Sequence, residues 1–219
     1  MRTILNRSGI AGVMNRRRAG AVLAAVAAVV LAAAGAEAQR DEDVQVLLSP
    51  QQALQEIFPA AAAFTEREFR PSAEQRAALE RELGRPLYEP SYPFLAVFDA
   101  GRRFLGYALV TEERGKYRPI TFMVGVTPDV RVQDVAVMVY RESRGGEVQR
   151  RRFLSQYRGK GLRNPIAINR DIINISGATI SVRSMNAGVR KTLALVQQAF
   201  GRQQPSVAAG GLRPVGSLR

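Results

Sequence analysis

The chain has 219 residues, of which 46% are hydrophobic, enough for one compact domain with a sizeable core and too apolar for an intrinsically disordered protein. Its formal net charge at pH 7 is +13, which is strongly basic. It contains no Cys and no His, which excludes disulfide bonds, thiolate or imidazole metal sites, haem attached through cysteines and histidine-based acid–base catalysis. Any redox chemistry in this chain therefore has to come from an organic cofactor.

Residues 1–38 have the three-part pattern of an export signal. Three consecutive arginines, Arg16 to Arg18, precede the uncharged apolar run Ala19 to Ala34, and Ala36-Glu37-Ala38 supplies a small-residue cleavage pattern. The apolar run is slightly shorter than the ~20 residues needed to span a bilayer, so we predict a signal peptide, with a retained membrane anchor as the alternative. In both cases we expect an exported protein at the periplasmic, extracytoplasmic face of the membrane, either soluble after cleavage or N-terminally anchored.

The chain stays basic without this leader, because removing five arginines and Glu37 from a net charge of +13 leaves +9. Nucleic-acid binding is one interpretation of such a charge. However, an exported protein does not routinely meet nucleic acid, and no recognition motif accompanies the arginines. We therefore expect no nucleic-acid partner, and instead attraction to an anionic membrane surface or to an acidic redox partner.

The segment 39–91 is predicted to be helical. Ser49 is an N-cap residue followed by proline, which predicts a short helix from Pro50 to about Phe58. Ser72, with Gln three residues later, forms a capping box that predicts a second helix over Ala73 to Leu83.

The middle of the chain changes to apolar, β-branched and aromatic runs separated by Gly, Pro or Asp, which is typical of strands. Short connections at Asp99 to Gly101 and Thr127 to Asp129 favour hairpins and an antiparallel meander. We therefore predict an α+β fold, an antiparallel β-sheet flanked by helices in a single domain. The four predicted strands are Phe94 to Phe98, Phe104 to Val110, Ile120 to Val126 and Val130 to Tyr140.

The last third of the chain is predicted to be mainly helix and loop. A helical stretch over Glu147 to Tyr157 precedes a Gly- and Pro-bearing loop, and Ile172 to Ile175 is predicted as a brief strand. Apolar residues at spacings of three and four then predict a helix from Arg183 to about Phe200. The Gly- and Pro-containing tail, 203–219, is predicted to be disordered.

The segment Ser176 to Ser181 carries three small residues and three hydroxyls just before that last helix. Free N–H groups and the positive end of a helix dipole favour an anion at such a place, and small residues let the backbone approach it closely. Arg183 and Arg190 are expected to add positive charge. The alternative is a simple helix cap, with Ser181 or Ser184 bonding the first turn.

The same residues, Ser176-Gly177-Ala178-Thr179-Ile180-Ser181 followed by an amphipathic helix, resemble the flavinylation motif of the FMN-binding domain family. This family includes the FMN-carrying subunits of the Rnf complex and of the sodium-pumping NADH:quinone reductase. The resemblance covers Tyr92 to Phe200 and includes Tyr140 to Gly146, in place of the family's Glu-Thr-Pro-Gly segment. It implies that a flavin transferase esterifies Thr179 to the phosphate of FMN, taken from FAD. The cofactor-binding residues it implies are Thr179, Ser176, Gly177, Ala178, Ser181 and Glu142.

Two departures from the family pattern bear on this expectation. The family usually has Asp six residues before the Thr, where this chain has Ile173, and Asp171 lies two residues further upstream. Ser143 follows Glu142 where the family has Thr, which keeps a hydroxyl. Glu142 itself has a simpler interpretation as a surface carboxylate at a strand end.

The resemblance implies an FMN-binding domain over 92–202 that carries electrons between membrane or exported redox partner proteins. Because the chain contains no motif for a second cofactor, we expect an electron carrier or accessory redox subunit and not a complete reductase. The alternative, which Ile173 favours, is a flavin-free module of the same fold that serves binding or assembly at the membrane surface.

Overall fold

The computed structural model describes residues 44–142, 144–201 and 211–218. The predicted leader, 1–38, lies outside the described residues. Over the described ranges, no helix is both long enough and apolar enough to cross a membrane. The strands are β1 (Gln45–Val46), β2 (Ala63–Phe69), β3 (Tyr92–Phe98), β4 (Phe104–Arg114), β5 (Pro119–Val126), β6 (Val132–Tyr140) and β7 (Arg213–Pro214). The α-helices are α1 (Pro50–Ile57), α2 (Ala73–Leu83), α3 (Arg151–Leu154) and α4 (Thr179–Ala199).

All seven strands lie in one antiparallel sheet of order β1-β6-β5-β4-β3-β2-β7. Strands β2 to β6 form a continuous meander, because each pairs with the next one along the chain. The two-residue strands β1 and β7 pair with the outer strands of the meander. The α+β fold, the antiparallel sheet and the four strands expected in the middle of the chain are confirmed.

The side chains of a strand point alternately to the two faces of the sheet. Apolar residues lie on both faces, and helices cover both. On one face α4 packs its buried residues Val182, Met185 and Val189 against residues such as Phe122. On the other face α1 packs against a smaller cluster that includes Met123, the neighbour of Phe122 in β5. Strand β5 is therefore an inner strand that is buried on both sides.

The predicted N-cap at Ser49 and the predicted capping box at Ser72 are confirmed, and Ser49 also forms a capping box, which was not predicted from the sequence. Ser49 Oγ accepts from Gln52 N, and Ser72 Oγ accepts from Gln75 N, both at 3.2 Å. The expectation that 39–91 is only helical is wrong, however, because β2 lies between the two helices and pairs with β3 along its whole length. Its sequence, with Glu66, Arg67 and Glu68 in a row, lacks the apolar alternation that identifies a strand.

Three further predictions after the sheet need correction. The stretch 147–157 is not one helix but two 3-10 turns on either side of α3, although Phe153 and Leu154 are buried as the pattern predicts. Ile172 takes part in a single bridge to Ile168, not in a strand. The long helix begins at Thr179, four residues before Arg183.

The predicted disorder of 203–219 is wrong for residues 211–218. Strand β7 pairs with β2, and Val215 N donates to Ala62 O at 3.1 Å. Val215 is only 5% exposed and belongs to the cluster under α1. A buried apolar side chain and a short strand pairing order a segment whose Gly and Pro content is typical of a disordered tail.

Candidate functional site

Thr179 is the first residue of α4, and Ala178 occupies the N-cap position. No side chain caps this helix start, so its first N–H groups have no partner of the kind that Ser49 and Ser72 supply to α1 and α2. Uncapped amides at the positive end of a 21-residue helix favour an anion. The attachment residue expected from the sequence therefore lies at the place where a phosphate is most favoured.

Asn174 orients the Thr179 hydroxyl, since its Nδ2 donates to Thr179 Oγ1 at 3.0 Å. The other end of that amide, Oδ1, is buried and has no hydrogen-bond partner among the described residues. Buried polar atoms without partners are rare in native proteins and point to a missing ligand or water. Because the amide donates to Thr179 Oγ1, the hydroxyl proton of Thr179 is not used in this bond.

A cleft of about 560 Å³ opens at Thr179. It brings together five of the six residues expected at a cofactor site, and only the exposed Ser176 is missing from its lining. Gly177 has a left-handed backbone conformation (φ 79°), which favours glycine. Because glycine has no side chain, the backbone near Thr179 is open to the cleft. The lining residues are Lys116, Tyr117, Glu142, Arg144, Gly177, Ala178, Thr179, Ile180 and Ser181.

Glu142 lines the same cleft as Thr179 and is not a surface carboxylate, because it is only 7% exposed. Its Oε1 accepts from Tyr117 N at 2.6 Å and from Arg118 N at 3.0 Å. Both amides belong to the turn between β4 and β5. Glu142 therefore holds this turn, with Lys116 and Tyr117 on it, against the end of β6.

Ser181 is fixed by a tyrosine and does not cap the helix. Tyr140 donates to Arg144 O at 2.6 Å, and its hydroxyl lies 3.3 Å from Ser181 Oγ. Burial raises the pKa of Tyr140, so the phenol stays protonated and remains a donor. Gly145 makes this contact possible: it has φ 81°, and a Cβ there would lie 3.0 Å from the Tyr140 hydroxyl and 3.1 Å from Ala178 Cβ.

The positive charge at the cleft comes from residues that the sequence did not single out. Lys116 and Arg144 line it, whereas Arg183 and Arg190, the expected cations, line a separate groove. Tyr117, which is 70% exposed, places an aromatic ring at the same cleft. Lys116 and Tyr117 lie in a short turn between two predicted strands, and Arg144 follows the last of those strands, but ordinary surface turns contain the same residue types.

The position where the family usually has Asp contributes no carboxylate to this cleft, because it is Ile173 here. The nearby Asp171 does not line the cleft either. The Ile173 side chain is 76% exposed, and its backbone N donates to Gln156 Oε1 at 2.7 Å. Asp171 accepts from Ala167 N and bridges Lys160 at 3.2 Å. Burial tends to raise the pKa of Asp171, but these partners lower it overall. Asp171 is therefore an ionised carboxylate that binds groups of its own loop and Lys160.

An uncapped helix start, a hydroxyl, two cations and an aromatic ring around one cleft define a protein that binds a phosphate-bearing ligand with a planar ring. Residues 115–194 match the model of the FMN-binding domain family. The matched range begins at the β4–β5 turn and includes Glu142 and the whole of Ser176 to Ser181. The resemblance seen in the sequence is thereby confirmed.

A comparison with curated proteins gives no match. Among solved structures, the chain is similar to one described as the crystal structure of Shewanella oneidensis NqrC. The two are 16% identical, the similarity covers 64% of this chain and 72% of that one, and the TM-score is 0.42.

The residues at the cleft fit FMN. Its phosphate is an anion, for which the α4 amides, Lys116 and Arg144 are suitable partners. Its ring system is planar, and Tyr117 offers a face on which such a ring can stack.

Proposed function

We propose that the protein is an exported electron-transfer flavoprotein whose FMN is joined by a phosphoester to Thr179. The observation that supports the proposal most directly is the position of the Thr179 hydroxyl, at the uncapped start of α4 and at the mouth of a basic, aromatic cleft. Bound there, FMN would supply one- and two-electron redox chemistry, which the side chains of this chain lack.

The chain's own residues would hold and orient the cofactor. The first amides of α4, with Lys116 and Arg144, would balance the charge of the phosphate, and Asn174 Nδ2 would keep Thr179 Oγ1 pointing into the cleft. Glu142 would act through the β4–β5 turn, whose position sets where the Tyr117 ring lies. Covalent attachment suits an exported protein, since a dissociated cofactor would be lost.

Attachment requires a flavin transferase that uses FAD. The Thr179 oxygen would form a bond to the phosphorus of the FMN half of FAD. The bond between the two phosphates would break, and AMP, which contains the second phosphate, would leave. The hydroxyl proton would leave Thr179 in this step. The donor and acceptor of electrons would be membrane or exported redox proteins, with the basic surface favouring acidic ones.

Mass spectrometry of the intact protein and its peptides tests the attachment. The protein is expressed with its leader in a host that has a matching flavin transferase, and compared with Thr179→Ala and with the matched control Ser176→Ala. We expect a mass increment equal to FMN minus water on the Thr179 peptide in wild type and in Ser176→Ala, and none in Thr179→Ala. An increment that stays in Thr179→Ala would refute the assignment.

A flavin-free module for binding or assembly is the second candidate, and Ile173 favours it because the family usually has Asp there. The variant Ile173→Asp separates the two. If the transferase needs this carboxylate, flavinylation of the variant exceeds that of wild type under the same conditions. An unmodified Thr179 in both proteins, beside a modified control substrate, would support the flavin-free module.

A further inference from the structure

A second groove, of about 370 Å³, lies beside α4 away from the Thr179 cleft, and no residue lines both. One wall is apolar and consists of Leu83 at the end of α2 and the segment Ile166 to Ile168. The other wall belongs to α4 and consists of Arg183, Asn186, Ala187 and Arg190. Arg85 completes the lining, which contains no carboxylate.

Arg183 and Arg190 are free to bind an anion. They are seven residues apart on α4, which places them on the same helix face, about 10 Å apart along the axis. Both are exposed, and neither takes part in an ion pair or hydrogen bond within the described part of the chain. Arg85 differs, since it makes two hydrogen bonds to the carboxylate of Glu113, at 2.6 and 2.7 Å.

Asn186 lies between the two arginines and offers the groove a donor from a fixed side chain. It is only 6% exposed, and its Oδ1 accepts from the Tyr157 hydroxyl at 2.7 Å. Burial, with a smaller contribution from Asp171, raises the pKa of Tyr157, so the phenol is protonated and donates this bond. The Asn186 Nδ2 group therefore faces away from Tyr157 and has no acceptor among the described residues.

A donor on a largely buried side chain, accessible from the groove and placed between two unpaired guanidinium groups, suits a ligand with several acceptor oxygens. We propose that this groove binds a phosphate ester, with the phosphate between Arg183 and Arg190, Asn186 Nδ2 donating to it, and the organic part against Ile166 and Ile168. Guanidinium groups bind phosphate through paired N–H donors, and the apolar wall favours an ester over the bare ion. The site does not depend on flavin, since it shares no residue with the Thr179 cleft.

NMR titration of the 15N-labelled protein tests this site, with inorganic phosphate and glycerol 3-phosphate added at constant ionic strength. We expect saturable shifts of the Arg183, Asn186 and Arg190 amides and of the Asn186 side-chain NH2, with tighter binding of the ester. The double variant Arg183→Gln/Arg190→Gln should weaken binding about tenfold or more, because each charged hydrogen bond contributes roughly a factor of ten.

The matched control is Arg150→Gln/Arg152→Gln, which removes the same charge from two other exposed arginines. Equal weakening in both double variants, or shifts spread over the surface without saturation, would overturn the proposal. Vesicles of phosphatidylcholine with and without phosphatidylglycerol identify the source of the phosphate. Vesicle binding that is lost only in the groove variant indicates a lipid headgroup, and saturable glycerol 3-phosphate binding without vesicle binding indicates a soluble ester.

Discussion

Glu142 and Asn174 both act on the cleft indirectly, each through hydrogen bonds that orient another group. Asn174 fixes the Thr179 oxygen, and Glu142 fixes the amides of Tyr117 and Arg118. Neither role depends on a cofactor being bound. The cleft is therefore shaped before any ligand arrives, which lowers the cost of ordering it on binding.

Removal of the Glu142 carboxylate should destabilise the protein. In Glu142→Ala the part-buried amides of Tyr117 and Arg118 lose a charged acceptor, and we expect this to cost about 1–3 kcal/mol of unfolding free energy. Urea unfolding followed by circular dichroism measures this loss. The exposed Glu82→Ala serves as control, and equal stability of the two variants would show that Glu142 does not hold the turn.

The residues of the site differ in how far sequence predicts them. Ser176 to Ser181 lie next to one another in the chain, so the pattern, together with the family resemblance, predicts a phosphate site there. Lys116 and Tyr117 are about sixty residues away, and only the pairing of β4, β5 and β6 brings them to Thr179. Ordinary surface residues have the same types, so nothing local marks them.

At the scale of elements, α4 shows how packing overrides local preference. Its first residues, Thr179, Ile180 and Val182, are β-branched and have modest helix propensity, which is why the sequence predicts a later start. Val182 is fully buried against the sheet, and Ser184 Oγ donates to Arg114 O at 2.5 Å. These tertiary contacts stabilise a first turn that propensity alone does not.

Gly188 provides a test of this packing in which two effects have opposite signs. Propensity alone predicts that Gly188→Ala stabilises the helix by about 1 kcal/mol. However, a Cβ at this position would overlap the Phe122 ring and lie 2.9 Å from Glu113 Cγ. We expect a net destabilisation of about 1–3 kcal/mol, because overpacking forces α4 away from β5.

Thermal or urea unfolding of Gly188→Ala decides the sign. The half-buried neighbour, in Ala187→Gly, is the control for propensity and should destabilise by about 1 kcal/mol. If Gly188→Ala is more stable than wild type, the close approach of α4 to β5 is not as described.

At the scale of the whole molecule, the two ends of the described chain complete opposite edges of one sheet. The strand β1 pairs with β6 and the strand β7 pairs with β2, although each is only two residues long. The fold class and the meander were predictable because strand periodicity and short turns are local. The contribution of 211–218 was not, because it depends on one buried valine far along the chain from its partners.

Val215→Ala should therefore destabilise the protein by about 1–3 kcal/mol, since Val215 is 5% exposed and packs under α1. Val46→Ala is a matched control at the opposite edge, with the same chemical change at a side chain that is 74% exposed. The difference in unfolding free energy between the two variants measures the docking of the C-terminal segment. No difference would mean that this segment contributes nothing to stability.

The outer edge of β2 also has a consequence for colloidal behaviour. Within the described residues, strand β7 pairs with Ala63 and Phe64 only, and the other five residues of β2 form a strand edge of the kind with which another chain can pair. Glu66, Arg67 and Glu68 place three charges in succession along that edge, and Arg213 pairs with Glu66 at 2.6 Å. Charges along a strand edge oppose pairing with the edge of another sheet. The same charged residues that prevent the recognition of β2 as a strand in the sequence therefore also protect the folded protein from aggregation through its sheet.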